Sequence, residues 1–338
     1  MKCFVTKLNG VVQSNTLLKL GEMRIKVNKV DAPTSSTQAI TLTFSKDAVV
    51  DIVGDGYFTD ASLNSNNGKS VSFTVNEEKT IYVSNGDFEV SILDKYSLTY
   101  IKYGSSMYIT DIADLKYSLG LIRLFSSKLT GGDLSSISNL NNLITLYAQN
   151  SAITGDLDSI KSLTKLENLW VQNSAITGDL NSIKNMLNLS ELYCKSTSIK
   201  GDFSSLGGMT KLNMLFGNKN IKGNINSLKS NLLKQIFCGN ISGDLARVSD
   251  KLVFISCSGG SATWSSRTAS SMVFGIEGSP SIDNIDKMLQ DFANCQVDSS
   301  VTDSWTKIIS ATGTRTSASD AAVQTLQQKG YTVSITPA

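Results

Sequence analysis

Apolar residues recur every three positions through the middle of this chain. In one unit they are Leu157, Ile160, Leu163, Leu166 and Leu169, and the same register returns 23 residues later from Leu180 to Leu192. A fixed period of this length is typical of a solenoid, because one unit cannot bury its apolar edge alone and the copies must stack. Each unit is predicted to be a short strand, a turn and an irregular or helical return.

A recurring phrase fixes where the units fall. Ile-Thr-Gly-Asp-Leu occurs at 153–157 and again at 176–180. With the acidic residue as marker, the copies fall at Asp111, Asp133, Asp156, Asp179, Asp202, Asn224 and Asp244. The spacings are 22, 23, 23, 23, 22 and 20 residues. The repeats therefore extend from about Ile109 to Cys257.

The pattern Leu-Thr-x-Leu-x-x-Leu-x-x-x-(Asn/Ser)-x-Ile-Thr-Gly resembles a leucine-rich repeat of the longer type that has a second strand. The resemblance implies the fold of residues 109–257 and says little about function. The sequence departs from this repeat type at one position. The column of asparagines expected after the strand of each repeat, the asparagine ladder, is mostly replaced here, for instance by Ser151, Ser174 and Thr197. Hydroxyl groups can serve the same turn less completely.

The first 105 residues alternate apolar and polar positions in short runs, as half-buried strands do. The runs centre on Ile40–Phe44, Val71–Val75 and Phe88–Ile92. Turn signals at Gly54–Gly56, 66–68 and 85–86 separate them. These features predict an antiparallel β-sandwich.

The end of the chain changes character after Ser258. One helix is predicted from Ile282 to Phe292, and a second is predicted between a capping Ser317 and Gly330. Strands near 272–276, 307–310 and 331–335 are expected to extend the parallel sheet. The fold class is therefore α+β multidomain, with a β-sandwich at 1–105, a leucine-rich repeat solenoid at 106–258, and degenerate repeats with an α/β C-terminal cap at 259–338. The sandwich is expected to serve docking or oligomerisation, and the cap to cover the last repeat.

Composition narrows the functional classes. The chain has 338 residues, a formal net charge of +2 and no histidine. The small charge gives no case for nucleic acid, and the missing histidine excludes Ser–His triads and histidine zinc sites. No apolar run approaches a membrane span, and the first residues lack the apolar core of a secretory signal. No cofactor or metal is expected.

Three of the five cysteines share one repeat position. Cys194, Cys238 and Cys257 each lie two residues after the buried Leu or Ile of a strand, where sister units have Ala148, Val171 and Gly217. The position points inward, which predicts buried thiols that act as small apolar residues. A Cys238–Cys257 disulfide stays open, although it would join adjacent parallel strands awkwardly.

The candidate binding site is a column of aromatic residues, each directly after the buried Leu or Ile. The six are Phe125, Tyr147, Trp170, Tyr193, Phe216 and Phe237. Since side chains alternate across a strand, these rings are expected on the concave face, about 4.8 Å apart in a continuous stripe. Two positions earlier, and on the same face, lie Arg123, Thr145, Asn168, Glu191, Met214 and Gln235. Such a stripe can anchor a partner, or its rings can simply stabilise the sheet.

The acidic column could in principle hold cations. Each acid, however, stands beside Thr154, Thr177 or Lys200 without a second carboxylate, which favours a solvated turn role. No catalytic constellation is picked out by spacing, so the protein is predicted not to be an enzyme. A glycan-degrading enzyme that uses a carboxylate pair remains the least favoured alternative.

Three segments, at 2–10, 17–25 and 313–323, look like virion proteins of Bacteroides and crass-like gut phages. The resemblance implies a head-fibre or tail-associated adhesion protein. Its N-terminal domain would dock on capsid or tail proteins, its repeats would bind a host-surface protein or glycan, and the chain would form a homo-oligomer, a trimer or dimer, located on the virion. The alternative is a leucine-rich repeat scaffold for protein–protein interaction at the bacterial cell surface or in the cytoplasm.

Overall fold

The computed structural model describes the backbone of the strands up to residue 109. With side chains it describes residues 112–113, 115, 121–125, 129, 131–267, 275–295 and 307–338. Spatial proximity divides the chain into two units, Met1–Thr177 and Gly178–Ala338. The predicted domain boundaries at 105 and 258 are a different division and stay a prediction.

The strands that precede residue 112 pair mostly antiparallel. They are β1 Val5–Leu8, β2 Val11–Ser14, β3 Met23–Lys29, β4 Gln38–Phe44, β5 Ala48–Asp51, β6 Ala61–Leu63, β7 Ser70–Val75, β8 Lys79–Ser84, β9 Leu98–Tyr103 and β10 Met107–Ile109. The order β10-β3-β8-β5-β6 forms one sheet, β1 pairs with β2, and β4 lies between β7 and β9. The predicted runs at 40–44 and 71–75 are thus strands, whereas 88–92 and the three turn signals lie outside the described residues. The sandwich packing itself stays a prediction.

The repeats begin in the first unit, where a parallel strand ladder runs from β9 into β11 Arg123–Phe125, β12 Thr145–Tyr147 and β14 Asn168–Trp170. A second ladder pairs β13 Thr154–Asp156 with β15 Ala175–Asp179 in parallel. Short 3₁₀ helices follow at Ile112–Leu115, Leu134–Ile137 and Leu157–Ile160. Each rung is therefore a first strand, a turn, a second strand and a 3₁₀ return, as the pattern predicts.

The second unit repeats this plan. Its first strands are β16 Glu191–Tyr193, β18 Met214–Phe216, β20 Gln235–Asp244 and β21 Phe254–Thr263, and its separate second strands are β17 Ser198–Asp202 and β19 Ile221–Asn224. In β20 and β21 the two strands of a rung merge into one. All these neighbours pair in parallel. The 3₁₀ helices lie at Leu180–Ile183, Phe203–Leu206, Ile225–Ser227 and Leu245–Arg247.

The every-third apolar positions form the core. Leu157, Ile160, Leu163, Leu166 and Leu169 are all fully buried, and so are Ile112, Leu115, Leu121 and Leu124 of the first repeat. Ser118 and Asp111 of that repeat lie outside the described residues. Burial at this period confirms the stacked-repeat architecture, because no rung of this size could exclude water from both edges on its own.

The C-terminal segment adds strands to the same ladder. These are β22 Gly275–Glu277, β23 Ser281–Ile282, β24 Ile308–Thr312 and β25 Thr332–Thr336, all paired in parallel. The helices are α1 Ile285–Asn294 and α2 Asp320–Gln328. The predicted capping residue Ser317 is wrong, because it begins a 3₁₀ turn, Ser317–Ser319, that precedes α2. Thr316 caps this turn, and its Oγ1 accepts from the Ala318 amide at 3.2 Å. No helix in the described part of the chain is long and apolar enough to cross a membrane.

Candidate functional site

The first strands present a ring directly beside each buried residue. Leu124, Leu146 and Leu169 are fully buried, and the aromatic residue that follows each of them is half-buried. The same holds in the second unit for Leu192, Leu215 and Ile236. Because neighbours in a strand point to opposite faces, the rings of each unit occupy the outer face of that unit's strand ladder, called here the first-strand face of the unit.

In the first unit the rings of Phe125, Tyr147 and Trp170 contact one another in sequence, and these three rings are called here the first ring stack. The Phe125 and Tyr147 centroids are 4.6 Å apart in an edge-on arrangement, at an interplanar angle of 79°. Those of Tyr147 and Trp170 are 4.1 Å apart and nearly parallel, at 15°. The strands are in register at these positions, so the spacing of the rings follows directly from the spacing of the rungs.

A second ring stack of Tyr193, Phe216 and Phe237 lies in the second unit. The centroid distance is 4.3 Å for both neighbouring pairs, with interplanar angles of 7° and 20°. Stacked pairs of this kind contribute about 0.5–1.5 kcal/mol each beyond the area they bury. The structure therefore brings the six predicted rings into two stacks, and their continuity as one stripe stays a prediction.

Stacking decides which part of each ring a partner can reach. Tyr147 and Phe216 each have an aromatic neighbour on both sides within 4.6 Å. Their faces are therefore covered, and the half-buried surface that remains is the outer edge. An edge offers apolar C–H groups and, for Tyr and Trp, a polar tip.

The polar residues that flank the rings differ in how exposed their side chains are. Arg123 is exposed, whereas Asn168, Glu191 and Gln235 are half-buried beside the rings. Thr145 is only 4% exposed. Its hydroxyl accepts from Asn168 Nδ2, at the in-register position of the neighbouring strand, at 3.4 Å.

One aromatic residue of this region was not predicted. Phe254 is in register with Gln235 rather than with Phe237, and Ser256 takes the ring position of that rung. Phe254 is 2% exposed, and its ring centroid lies 5.6 Å from that of Phe237. It closes the second ring stack at one end. The sequence does contain a signal for it: in this repeat the aromatic residue comes directly before the buried Ile255, whereas in the other repeats it comes directly after the buried residue.

The turn role predicted for the acidic column is confirmed. Asp133, Asp156, Asp179, Asp202, Asn224 and Asp244 each occupy the N-cap of a 3₁₀ helix and accept from the backbone amide two residues later, at 2.8–3.0 Å. At Asp133 the hydrogen bonds from Ser135 hold the pKa of the carboxyl below its ordinary value. Among the described residues no group of three or more His, Cys, Asp or Glu side chains is placed to hold a metal ion.

The hydroxyl groups that replace the expected asparagines donate within their own turns. Ser174 Oγ donates to the Val171 carbonyl at 2.6 Å, and Thr197 Oγ1 donates to the Cys194 carbonyl at 2.7 Å. Asn218 does more, because its amide reaches back one rung to the carbonyls of Thr197 at 3.2 Å and Ile199 at 2.9 Å. The Asn218 amide thus ties two rungs together, and the Thr197 hydroxyl contributes to this link as an acceptor at 3.5 Å.

A recess of about 440 Å³ opens where the first strands of the second unit end. Its lining includes Lys195, Lys219, Phe237, Cys238, Ser256 and Cys257. The structure confirms that Cys194, Cys238 and Cys257 are buried free thiols. Burial raises the pKa of the Cys194 thiol to about 12 and that of Cys257 to about 11. It also raises the pKa of Cys238, with a further contribution from Cys257.

Comparison with known proteins finds likeness in structure only. No family model and no curated protein matches the chain. A plant peptide hormone receptor, RGFR1 in complex with RGF2, is 18% identical over 67% of this chain and 34% of its own, with a TM-score of 0.44. The leucine-rich repeat ectodomain of an Arabidopsis thaliana membrane receptor kinase, GASSHO1/SCHENGEN3, in complex with CASPARIAN STRIP INTEGRITY FACTOR 2, is 16% identical over 64% and 30%, at 0.43. A leucine-rich repeat protein of Leptospira interrogans is 13% identical over 66% and 75%, at 0.30. The chain spans about a third of the receptor chains it matches.

Proposed function

We propose that this chain is a non-enzymatic binding protein whose first-strand face engages a protein partner. The observation that carries the proposal is the pair of ring stacks with exposed edges, flanked by Arg123, Asn168, Glu191 and Gln235. Aromatic anchors with a polar surround are the usual composition of a protein-binding surface. The rungs hold the rings in fixed register, so little side-chain freedom would be lost on binding.

The covered ring faces favour a protein over a glycan as this partner. A sugar ring binds an aromatic side chain by lying flat on its face, and the faces of Tyr147 and Phe216 are occupied by neighbouring rings. A protein can instead pack aliphatic side chains against the ring edges. The expected ligand is therefore a protein surface with a flat apolar strip.

A finer proposal places this binding on a phage particle. It rests on the resemblance of segments 2–10, 17–25 and 313–323 to virion proteins. In this proposal the N-terminal strands dock on a capsid or tail protein, copies of the chain associate, and the repeats meet the host surface. Mass spectrometry of purified particles tests the location separately, and finding the protein only in cell envelopes or cytoplasm would favour the scaffold alternative.

The binding face can be mapped by cross-linking. A photo-reactive amino acid replaces Arg123 or Gln235 on the first-strand face, and Lys184, which is exposed and follows a 3₁₀ helix, serves as the control position. We expect one protein to be captured from the first-strand face and not from position 184. Equal capture from all three positions would contradict the proposal.

The captured protein is then purified and its affinity measured by calorimetry. A Trp170→Ala chain should bind it about thirtyfold more weakly, the loss of about 2 kcal/mol expected when a binding anchor is truncated. A Lys184→Ala chain should bind as the unaltered chain does. Unchanged affinity after Trp170→Ala would show that the rings stabilise the sheet only.

A further inference from the structure

A column of buried residues in the second unit's ladder reaches an uncovered end at β25, Thr332–Thr336. The strands before β25 carry fully buried residues in register with one another, namely Ile236, Ile255, Ile276 and Ile309. Val333 continues this register but is only half-buried. The earlier residues have a strand on either side, whereas among the described strands only β24 pairs with β25. Apolar surface is therefore left uncovered at this edge.

The backbone of β25 also has groups that β24 does not use. The Thr332 amide donates to the Lys307 carbonyl, and the Thr336 carbonyl accepts from the Gly313 amide, both at 2.9 Å. Alternate residues of a strand in a parallel pair turn their backbone groups to opposite sides. The N–H and C=O groups of Val333 and Ile335 therefore point away from β24, where they can pair with another strand.

The residues of this edge do not protect it from such pairing. Proteins commonly block an exposed edge with charged side chains, proline or a bulge. The sequence of β25 is Thr-Val-Ser-Ile-Thr, without a charge or a proline. Pro337 follows directly and has no N–H to donate, so it ends the edge that can pair. The free edge is thus short and uncharged.

The same five residues are complementary to themselves. Thr-Val-Ser-Ile-Thr has the same order of residue types in both directions. When two copies lie antiparallel with one Ser334 opposite the other, each Val333 faces an Ile335, and each Thr332 faces a Thr336. The outward groups of Val333 and Ile335 then exchange both of their hydrogen bonds. The apolar side chains that lacked a neighbour become a β-branched cross-strand pair, and no charges within β25 are brought together.

We propose that two copies of this chain associate by antiparallel pairing of β25, about a two-fold axis at Ser334. In such a dimer the same surface of each copy forms the interface, and the two ladders join into one sheet. An interface of one short strand per copy is small, so we expect a reversible dimer that depends on concentration. Because β25 lies four strands along the ladder from Phe237, the chain can have this property without binding a partner through its rings.

Analytical ultracentrifugation of the full-length chain tests the association. Ser334 is exposed, so Ser334→Lys leaves the monomer intact but sets two like charges opposite each other. This variant should weaken the dimer about fivefold. Gln324→Lys, which adds the same charge at an exposed position of α2, should not weaken it. An unaltered chain that stays monomeric at every concentration, or a dimer equally tolerant of both variants, would overturn the proposal.

A mixing experiment separates pairing at the axis from a general effect of charge. Equal amounts of Ser334→Lys and Ser334→Glu chains place opposite charges across the axis. The mixture should form a tighter dimer than either variant alone. If the mixture dimerises no better than its components, position 334 does not lie opposite itself, and the proposed pairing is wrong. Circular dichroism checks that each variant is folded.

Cysteine cross-linking tests the register. In the proposed dimer Ser334 faces its copy in a non-hydrogen-bonded pair, with Cα atoms about 4.5 Å apart, within the range of a disulfide. Cys3→Ser serves as background, since the other four cysteines are buried. Ser334→Cys should link two copies on mild oxidation. Thr332→Cys, also exposed on β25, should not link to itself but should link to Thr336→Cys. Self-linking at 332, or none at 334, would overturn the proposal.

Discussion

Thr177 donates its hydroxyl to the Asp156 carboxylate of the preceding rung, with 3.2 Å between Thr177 Oγ1 and Asp156 Oδ2. The other oxygen of Asp156 accepts from the Asp158 amide at 2.8 Å. Thr154 and Asp133 make the same contact one rung earlier, at 3.3 Å. One carboxylate thus caps its own 3₁₀ helix and also bonds to the next rung. This double use explains why Thr and Asp recur together in the Ile-Thr-Gly-Asp phrase.

The first prediction concerns this double use. Asp156→Ala should lower the free energy of unfolding by about 1–2 kcal/mol, the usual cost of losing an N-cap, and Asp156→Asn should cost less because its oxygen still accepts. Urea denaturation measures the difference. Asp158→Ala is the control, since its exposed ion pair with Lys161 is worth about 0.5 kcal/mol or less. Equal losses at 156 and 158 would contradict the capping role.

The second prediction concerns acid. Desolvation raises the pKa of Asp286, but hydrogen bonds from Ser319 and Thr316 and the charge of Arg315 outweigh it, so the pKa lies below its ordinary 3.8. A depressed pKa in the folded state stabilises the protein above the unfolded-state value, and this stability is lost as the pH falls through the folded-state value. The contribution should therefore be present at neutral pH and disappear below about pH 4.

Asp286→Asn tests this prediction. Its Nδ2 group cannot accept the hydrogen bonds that Thr316 donates to Asp286 Oδ2, and it carries no charge to attract Arg315, so the variant should melt at a lower temperature at pH 7. Its melting temperature should also change less between pH 5 and pH 3 than that of the unaltered chain. Asp158→Asn, at an exposed carboxylate, serves as the control. A variant that kept the full acid dependence would show that other groups cause it.

The third prediction compares two glycines with nearly the same backbone. Gly223 and Gly259 have φ angles of +134° and +136°. An added Cβ at Gly223 would lie 2.2 Å from Asp202 Oδ2, whereas at Gly259 the nearest atom is 3.7 Å away. Asp202 cannot move aside freely, because it caps the helix that begins at Phe203.

Alanine at each position separates backbone strain from the clash. Gly259→Ala should cost about 1–3 kcal/mol of stability from the unfavourable φ alone. Gly223→Ala should cost about 1 kcal/mol more, since it also displaces a capping carboxylate. Urea denaturation of both variants gives the comparison. Similar losses would mean that Asp202 adjusts without losing its cap.

The sequence predicts the rungs because an apolar residue at every third position is compatible with few folds other than stacked repeats. It also places the six rings beside the buried residues, since strand alternation is a local property. It misses Phe254, whose ring precedes Ile255 in register with Gln235. The sequence also does not predict the recess, because a difference of one residue in turn length opens a space only when the rungs are stacked. Contacts between rungs depend on register, which the period alone does not give.

The ring stacks carry the last prediction, because stacked rings must contribute to stability as well as to binding. Phe216 lies between Tyr193 and Phe237, with both centroid distances at 4.3 Å. Phe216→Ala removes two stacked pairs, each worth about 0.5–1.5 kcal/mol beyond burial. We expect the free energy of unfolding to fall by about 2–3 kcal/mol, somewhat less than for a fully buried phenylalanine.

A matched variant on the same strand shows whether stacking causes this loss. Met214 lies on the same face and is also half-buried, but it has no ring, so Met214→Ala should cost about 1 kcal/mol or less. Phe216→Leu should fall between the two, because it keeps apolar volume and loses the stacking. If Phe216→Ala and Met214→Ala were equally mild in urea denaturation, the rings would contribute little to the fold. Their alignment along the rungs would then be explained by binding alone.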